Sequence, residues 1–410
     1  MRFTWRPAFF AAFSVLAAAT LAARAADEPA TVSDGVVKIG LILDMSGPYS
    51  ETTGIGSATA ARMAVEDFGG RVLGVPIEVV VADHKSSPDT ALRIARDWFE
   101  NQHVDAIMDV SGSSEAQIVQ RAAENRHKIV VLNGPGAVRL SNEACTATSI
   151  HYVFNTRAIA RTLGGALVER GDKSWFFVTV DYSFGYDLER DTAAVVTQHG
   201  GAVLGDARHP LDAPDFTSYL SRARQSKAQV IGLADAGTDL GNAVQQAAKL
   251  GMIPGPQVFA GLAMRVNQVD RLGLAVTQGM MLSESFYWDM DEAARAWSRR
   301  FFERVKKMPN GLQAGVYSST THYLKSVARA GTDATDAVLT AMRDTPVDDF
   351  FAHGGQIRRD GIMVHDMYLF RVKQPAESHY PWDYLTSLAR VPGNEAFGSL
   401  EQSKCPLVKE

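Results

Sequence analysis

Five short segments rich in Gly, Ser and Pro hold the side chains best suited to chemistry. They are Asp44-Met45-Ser46-Gly47-Pro48-Tyr49, Asp109-Val110-Ser111-Gly112-Ser113-Ser114, Asn133-Gly134-Pro135-Gly136-Ala137, Asp181-Tyr182-Ser183-Phe184-Gly185 and Ala234-Asp235-Ala236-Gly237-Thr238-Asp239. Hydroxyls and unpaired backbone N–H groups of this kind capture anions, and a carboxylate fits them well. In any one loop, Gly and Ser can equally serve only to shape a turn or cap a helix. Together the segments say more, because each follows an apolar run. Tyr49, Tyr182 and Phe184 sit in these loops, where a ring is not easily explained as core. A ligand stacked between such rings buries apolar surface worth roughly 25 cal/mol per Å². Asp235 and Glu284 are lone acids able to pair an ammonium, or equally to cap a helix or stay solvated.

Catalytic patterns are poor. Ser111-Gly112-Ser113 lacks the G-x-S-x-G frame of a nucleophile elbow. There is no Walker A loop, and Gly54-Ile55-Gly56 lacks the third glycine of a dinucleotide fingerprint. The ten His residues are scattered without H-x-x-x-H spacing and there are two cysteines, so neither a metal site nor a cofactor is expected. The residues favour binding over turnover; the competing class is an exported α/β hydrolase using Ser113 with a distant His.

The elements that must position these loops alternate. Apolar runs at 36–43, 75–82, 104–110 and 128–132 read as strands, separated by helical patterns at 57–68, 88–100 and 114–125. The pattern restarts with helices at 158–170, 188–198, 216–224 and 240–250. Its strands fall at 175–180, 202–204, 230–234, 257–260 and 278–283. Strands alternating with helices of this length give βαβ units and parallel sheets, so the fold class is α/β with two lobes. The five loops then lie at strand ends, where open parallel sheets bind ligands. Helices at 292–307, 314–330 and 334–343 follow. Strands at 354–359 and 367–373 are expected to pair around a turn at Asp360-Gly361, with the tail from 374 extended on the surface.

Arg2 and Arg6, the uncharged run 7–23 and Ala23-Arg24-Ala25 have the layout of a secretory signal peptide cleaved after Ala25. The remaining chain of about 385 residues exceeds the size at which single cores stop growing. A net charge of −5 without a long basic run argues against a nucleic-acid partner. In an oxidising compartment Cys145 and Cys405 read most simply as one disulfide, with two buried thiols as the alternative.

The stretch Lys38-Ile39-Gly40-Leu41-Ile42-Leu43-Asp44-Met45-Ser46-Gly47-Pro48-Tyr49 resembles the opening of the leucine-binding-protein family, the type I periplasmic solute-binding proteins of ABC importers. The likeness continues through Asp181-Tyr182-Ser183-Phe184-Gly185, Gln246-Ala247-Ala248-Lys249-Leu250-Gly251 and Gln278-Gly279-Met280. Near the end it takes in Gly354-Gly355-Gln356-Ile357-Arg358-Arg359-Asp360-Gly361, Tyr368 to Lys373, and a C-terminal branch marked by Pro381-Trp382-Asp383-Tyr384 and Cys405-Pro406-Leu407-Val408.

The resemblance implies two Rossmann-like lobes with parallel sheets joined by a three-segment hinge, closing on a small carboxylate or amino acid. Boundaries are then expected at 1–25 (signal peptide), 34–153 (lobe 1), 154–308 (lobe 2), 309–359 (return to lobe 1), 360–390 (return to lobe 2) and 391–410 (tail). Transferred by position, Ser113 and its neighbour Ser114 hold a ligand carboxylate with the Pro135-Gly136-Ala137 loop. Two departures stand out: Ala137 replaces a hydroxyl residue, and Gln278 replaces the Glu that amino-acid binders use for the ammonium. These favour an aromatic or other amine-free acid over a branched-chain amino acid. The resemblance further implies a periplasmic monomer that delivers its solute to membrane permease subunits; a ligand-sensing receptor module on the same fold is the alternative.

Overall fold

The computed structural model describes residues 1–4 and 31–408. The apolar run 7–23 and the cleavage point after residue 25 lie outside the described residues. One sheet contains β1 (Val37–Leu43), β2 (Arg71–Val72), β3 (Val75–Asp83), β4 (Ala106–Val110), β5 (Ile129–Leu132) and β6 (Ser149–His151), in the order β2-β3-β1-β4-β5-β6. The second begins with β7 (Ser174–Val180), β8 (Ala202–His209), β9 (Val230–Ala234), β10 (Val258–Gly261) and β11 (Met281–Glu284). After a separate hairpin of β12 (Gln356–Ile357) and β13 (Met363–Val364), it is completed by β14 (Met367–Val372) and β15 (Leu385–Val391), in the order β15-β14-β11-β10-β9-β7-β8. In both lobes the parallel strands follow a 2-1-3-4-5 order, whose switch point lies between β1 and β4 and between β7 and β9.

Burial explains the apolar runs: every residue of β4, β5 and β9 is buried, as expected for strands covered by helices on both faces. The helix Pro88–Glu100 starts where Ser87 Oγ accepts the Thr90 N–H at 3.3 Å, with Pro88 at the first helical position. Its Trp98 packs so closely over Gly40 of β1 that a Cβ there would lie 2.5 Å from the ring.

The chain passes between lobes three times. The first crossing follows β6, and the helix Thr156–Ile159 begins the second lobe's share. The second lies between β11 and the helix Glu292–Val305, earlier than the expected boundary at 308, because that helix packs on lobe 1: Arg304 meets Glu66 at 2.7 Å and Trp297 stacks on Phe350 at 4.5 Å between centroids. The next helix, Gly311–Ala330, is capped where Asn310 Oδ1 accepts the N–H of Leu312 at 2.9 Å and of Gln313 at 3.1 Å. The third joins β13 to β14, and there His365 Nε2 bonds the Val153 carbonyl of the first crossing at 2.8 Å.

Four expectations change here. The second sheet is mixed, because β14 pairs antiparallel with both β11 and β15. The segment 367–373 therefore does not pair with 354–359; β12 takes β13 instead. Residues 360–362 still belong beside lobe 1, where the Gly361 carbonyl accepts the His151 N–H at 2.8 Å, so the chain reaches lobe 2 a few residues later than expected. The tail is also not merely superficial: β15 is part of the sheet, and Trp382, Phe397 and Cys405 are buried.

Cys145 and Cys405 are disulfide-bonded, with Cα atoms 5.7 Å apart. The Lys404 N–H donates to Asn142 Oδ1 beside the bridge, and Arg161 Nη2 reaches Gln402 Oε1 at 2.7 Å, so the end of the chain straps the two lobes near the hinge. Cys405→Ser is expected to cost about 2–4 kcal/mol. Urea unfolding under oxidising conditions checks this, and an unchanged midpoint would mean that the strap adds nothing.

Candidate functional site

The C-terminal ends of both sets of parallel strands face one another across a narrow cavity. Buried polar groups hold the loops that line it. Asp44, at the end of β1, accepts the N–H of Gly47 at 2.6 Å and of Tyr49 at 2.9 Å, which turns the Tyr49 ring inward. Asp109 Oδ1, in β4, accepts the N–H of Asn133 at 3.0 Å and of Gly134 at 2.8 Å. Burial pushes its carboxyl up to about 6, and those N–H groups oppose the shift. His151 Nε2 bonds the Pro135 carbonyl at 2.8 Å while its Nδ1 meets Ser141 Oγ at 3.0 Å.

Lobe 1 presents anion-receptive groups to this cavity. Ser113 opens the helix Ser113–Glu124, and its Oγ accepts the Ala137 N–H at 3.2 Å, leaving its own proton to donate. The Gly136 N–H has no partner among the described residues. A Cβ on Gly136 would lie 2.4 Å from Phe154 and 2.9 Å from Phe184, so only glycine lets both rings close over this loop. Tyr49 and Tyr182 meet across the cleft with their hydroxyls 2.6 Å apart. Burial holds both phenols well above their ordinary pKa, so the contact is a neutral hydrogen bond.

Arg265 was missed in the sequence. It follows β10, lines the cavity, and is buried, with its guanidinium 4.6 Å from the centre of the Phe154 ring. Its Nη1 donates to Glu284 Oε2 at 2.7 Å and to the Ser283 carbonyl at 3.4 Å. Burial pushes the Glu284 carboxyl up to about 7, with Arg265 acting in the opposite direction. A usable signal existed: 261–265 follows a strand like the other five loops, and the strand-end rule applies to it equally.

The expected residues divide. Tyr49, Ser113, Pro135, Gly136, Tyr182 and Phe184 line the cavity together. Ala137 contributes only its N–H, since its side chain is fully buried. Ser114 turns away, its Oγ 3.4 Å from that of Ser183 on the outer side of the cleft. Asp235 points toward His209, 3.2 Å away, and Glu284 is paired with Arg265; neither lines the cavity, so neither meets an ammonium there. Gln278 is misplaced: its side chain bonds the Ala275 carbonyl at 2.9 Å beside Met252 and Pro254. It precedes β11, and the strand's N-terminal end lies away from the cleft.

Burial lowers His151 to about 4, against an ordinary 6.5. Between these values the unfolded chain takes up the proton first, so stability is complete above about 6.5 and falls as the pH drops toward 4. The shift corresponds to about 3 kcal/mol. His151→Gln should flatten that part of the stability–pH curve, measured by urea unfolding from neutral to acidic pH; an unchanged slope would assign it to other groups.

A family model described as periplasmic binding protein matches residues 36–378. A periplasmic binding protein from Burkholderia mallei is 46% identical, with a TM-score of 0.88 over 91% of this chain and 99% of its own. A branched chain amino acid ABC transporter periplasmic ligand-binding protein from Burkholderia xenovorans is 34% identical, with a TM-score of 0.82 over 91% of this chain and 100% of its own. A Leu/Ile/Val-binding protein homolog 6 from Brucella abortus is 27% identical over 53% of this chain and 54% of its own length, so the chain matches about half of that curated relative. With the family model covering most of its length and both sheets opening on one cleft, the chain belongs to the periplasmic binding protein family.

Proposed function

We propose that this protein is the solute-capturing component of an ABC uptake system in the periplasm, and that its solute is a small amine-free carboxylate with an aromatic or apolar body. The observation that carries the ligand class is the cavity's polar lining. It offers the Arg265 guanidinium, the Ser113 hydroxyl and the Gly136 N–H, with no carboxylate among its lining residues. A carboxylate fits donors of this kind, whereas an α-ammonium brought into the same space meets no counter-charge. Phe154, Phe184, Tyr49 and Tyr182 supply apolar walls for the rest of the solute.

The mechanism is a population shift. Donors come from lobe 1 at Ser113 and Gly136 and from lobe 2 at Arg265, so a solute touching both stabilises the closed form over the open one. Micromolar affinity corresponds to about −8 kcal/mol, within reach of one charge-assisted contact and two buried ring faces. Delivery to permease subunits, which membership of the family supports, and action as a monomer are parts of the same proposal. A branched-chain amino acid is the second reading, favoured by the name of the Burkholderia xenovorans relative.

A thermal-shift panel of benzoate-like acids, phenylpropanoid acids, leucine and valine separates the two. A ligand at a hundred times its Kd adds about 2.7 kcal/mol of stability. Amine-free acids are expected to raise the melting temperature; a shift confined to leucine or valine would overturn the ligand class. Arg265→Gln should weaken the best acid by about 1.5–3 kcal/mol in calorimetric titration. Gly136→Ala should abolish binding while the apo-protein still unfolds cooperatively, because the added Cβ displaces Phe154 from the cleft wall.

A further inference from the structure

We propose that His209, Asp235 and Asp239 form a binding site for one first-row divalent cation, best matched by Zn²⁺, inside the second lobe. The His spacing along the chain gave no reason to expect a metal, because these ligands come from three elements: the end of β8, the end of β9 and the helix Gly237–Lys249. The fold brings one imidazole nitrogen and two carboxylate oxygens within 4.8 Å of one another. All three side chains are buried, with 0% of His209, 1% of Asp235 and 0% of Asp239 exposed.

The unpartnered atoms point to a missing ligand. His209 Nε2, Asp235 Oδ2 and Asp239 Oδ1 each lack a hydrogen-bond partner among the described residues. His209 and Asp235 approach to 3.2 Å, but they are not aligned as a hydrogen bond. His209 Nδ1 lies 2.9 Å from the Pro210 carbonyl, which requires its proton there. Nε2 is then the nitrogen left for the site, where it can carry a proton toward Asp235 or a cation in that proton's place, and an N–H to a backbone carbonyl is the usual outer partner of a metal-bound His. The 3.2 Å separation also suits adjacent ligands of a tetrahedral site, where bonds of about 2.0–2.1 Å place neighbouring donors about 3.3 Å apart.

The surroundings are organised for one charge state. Asp239 Oδ2 accepts the Asp212 N–H at 2.7 Å, and Asp235 Oδ1 accepts the Ala236 N–H at 2.7 Å, so each carboxylate keeps its other oxygen for the site. The Phe216 ring fixes the imidazole edge-on at 4.7 Å between centroids. A mixed nitrogen and oxygen set favours Zn²⁺ over Mg²⁺ or Ca²⁺, which prefer oxygen alone. Residues 236 and 237 line the cleft directly after Asp235, so a bound cation would brace the lobe-2 wall of the solute site.

The test uses the untagged chain, stripped with a chelator and titrated with ZnCl₂, with metal content measured by mass spectrometry and CoCl₂ used as a visible-absorption probe. One Zn²⁺ per chain is expected, with a Co²⁺ band typical of low coordination number. In Asp239→Asn and His209→Gln, both with unchanged circular dichroism, affinity should fall at least about tenfold. Absence of micromolar binding by the wild-type chain overturns the proposal, and so does binding that survives in both variants. That survival would assign the ion to exposed pairs such as His127 with Asp336 or His353 with Asp348. If a variant fails to fold, the wild-type stoichiometry and Co²⁺ spectrum decide. None of these readouts involves the organic solute, so the proposal and the solute class stand or fall separately.

Discussion

The closed arrangement depends on one close approach between the lobes, that of Gly237 to Pro48. The Pro48 carbonyl accepts the Thr238 N–H at 3.0 Å and the Thr238 hydroxyl at 3.2 Å. Gly237 has a φ of +62°, and a Cβ there would lie 2.4 Å from that carbonyl oxygen. Any other residue is therefore excluded twice, by its backbone conformation and by the partner lobe. The Tyr49–Tyr182 contact completes the seam, and together these bonds shut the cavity from the front while the three crossings hold it from behind. Each bond is modest in water, on the order of 1 kcal/mol, which suits a joint that must open again.

Behind the seam, the cleft is framed by buried polar groups rather than apolar packing alone. Asp44 and Asp109 tie successive loops through backbone N–H groups, and His151 fixes the Pro135 carbonyl. Such groups are costly to bury unless satisfied, so each restricts its loop to one conformation. Arg265 differs in kind. Glu284 and the Phe154 ring hold it, and it carries the positive charge that lines the cavity. A buried pair of this type adds little stability of its own, but it presents a desolvated cation in a fixed place. That suits selecting an anion more than strengthening the lobe.

Much of this was legible in the chain. Uninterrupted apolar runs marked strands buried on both faces, and the Gly- and Ser-rich segments after them marked the strand ends that became the cleft. Tyr49, Ser113, Gly136, Tyr182 and Phe184 were found that way. Gln278 misled because it precedes a strand rather than following one, a distinction that depends on which end of the sheet faces the other lobe. The pairing of β14 was missed for a related reason: alternation identifies a strand but not its neighbour.

By itself the sequence determined the α/β class, the order of elements, the restart that makes two lobes, and the loops at the strand ends. These follow from local periodicity and turn chemistry, which need no knowledge of distant residues. Only the tertiary structure decided which charges are paired and which remain available. Arg265 reads as an ordinary solvated residue until Glu284, 19 residues further on, and Phe154, from the first crossing, are seen against it. His209, Asp235 and Asp239 likewise become one cluster only when β8 and β9 are packed beside the same helix. Burial and partnership fix the character of a charged side chain, and both are set by contacts remote in the chain.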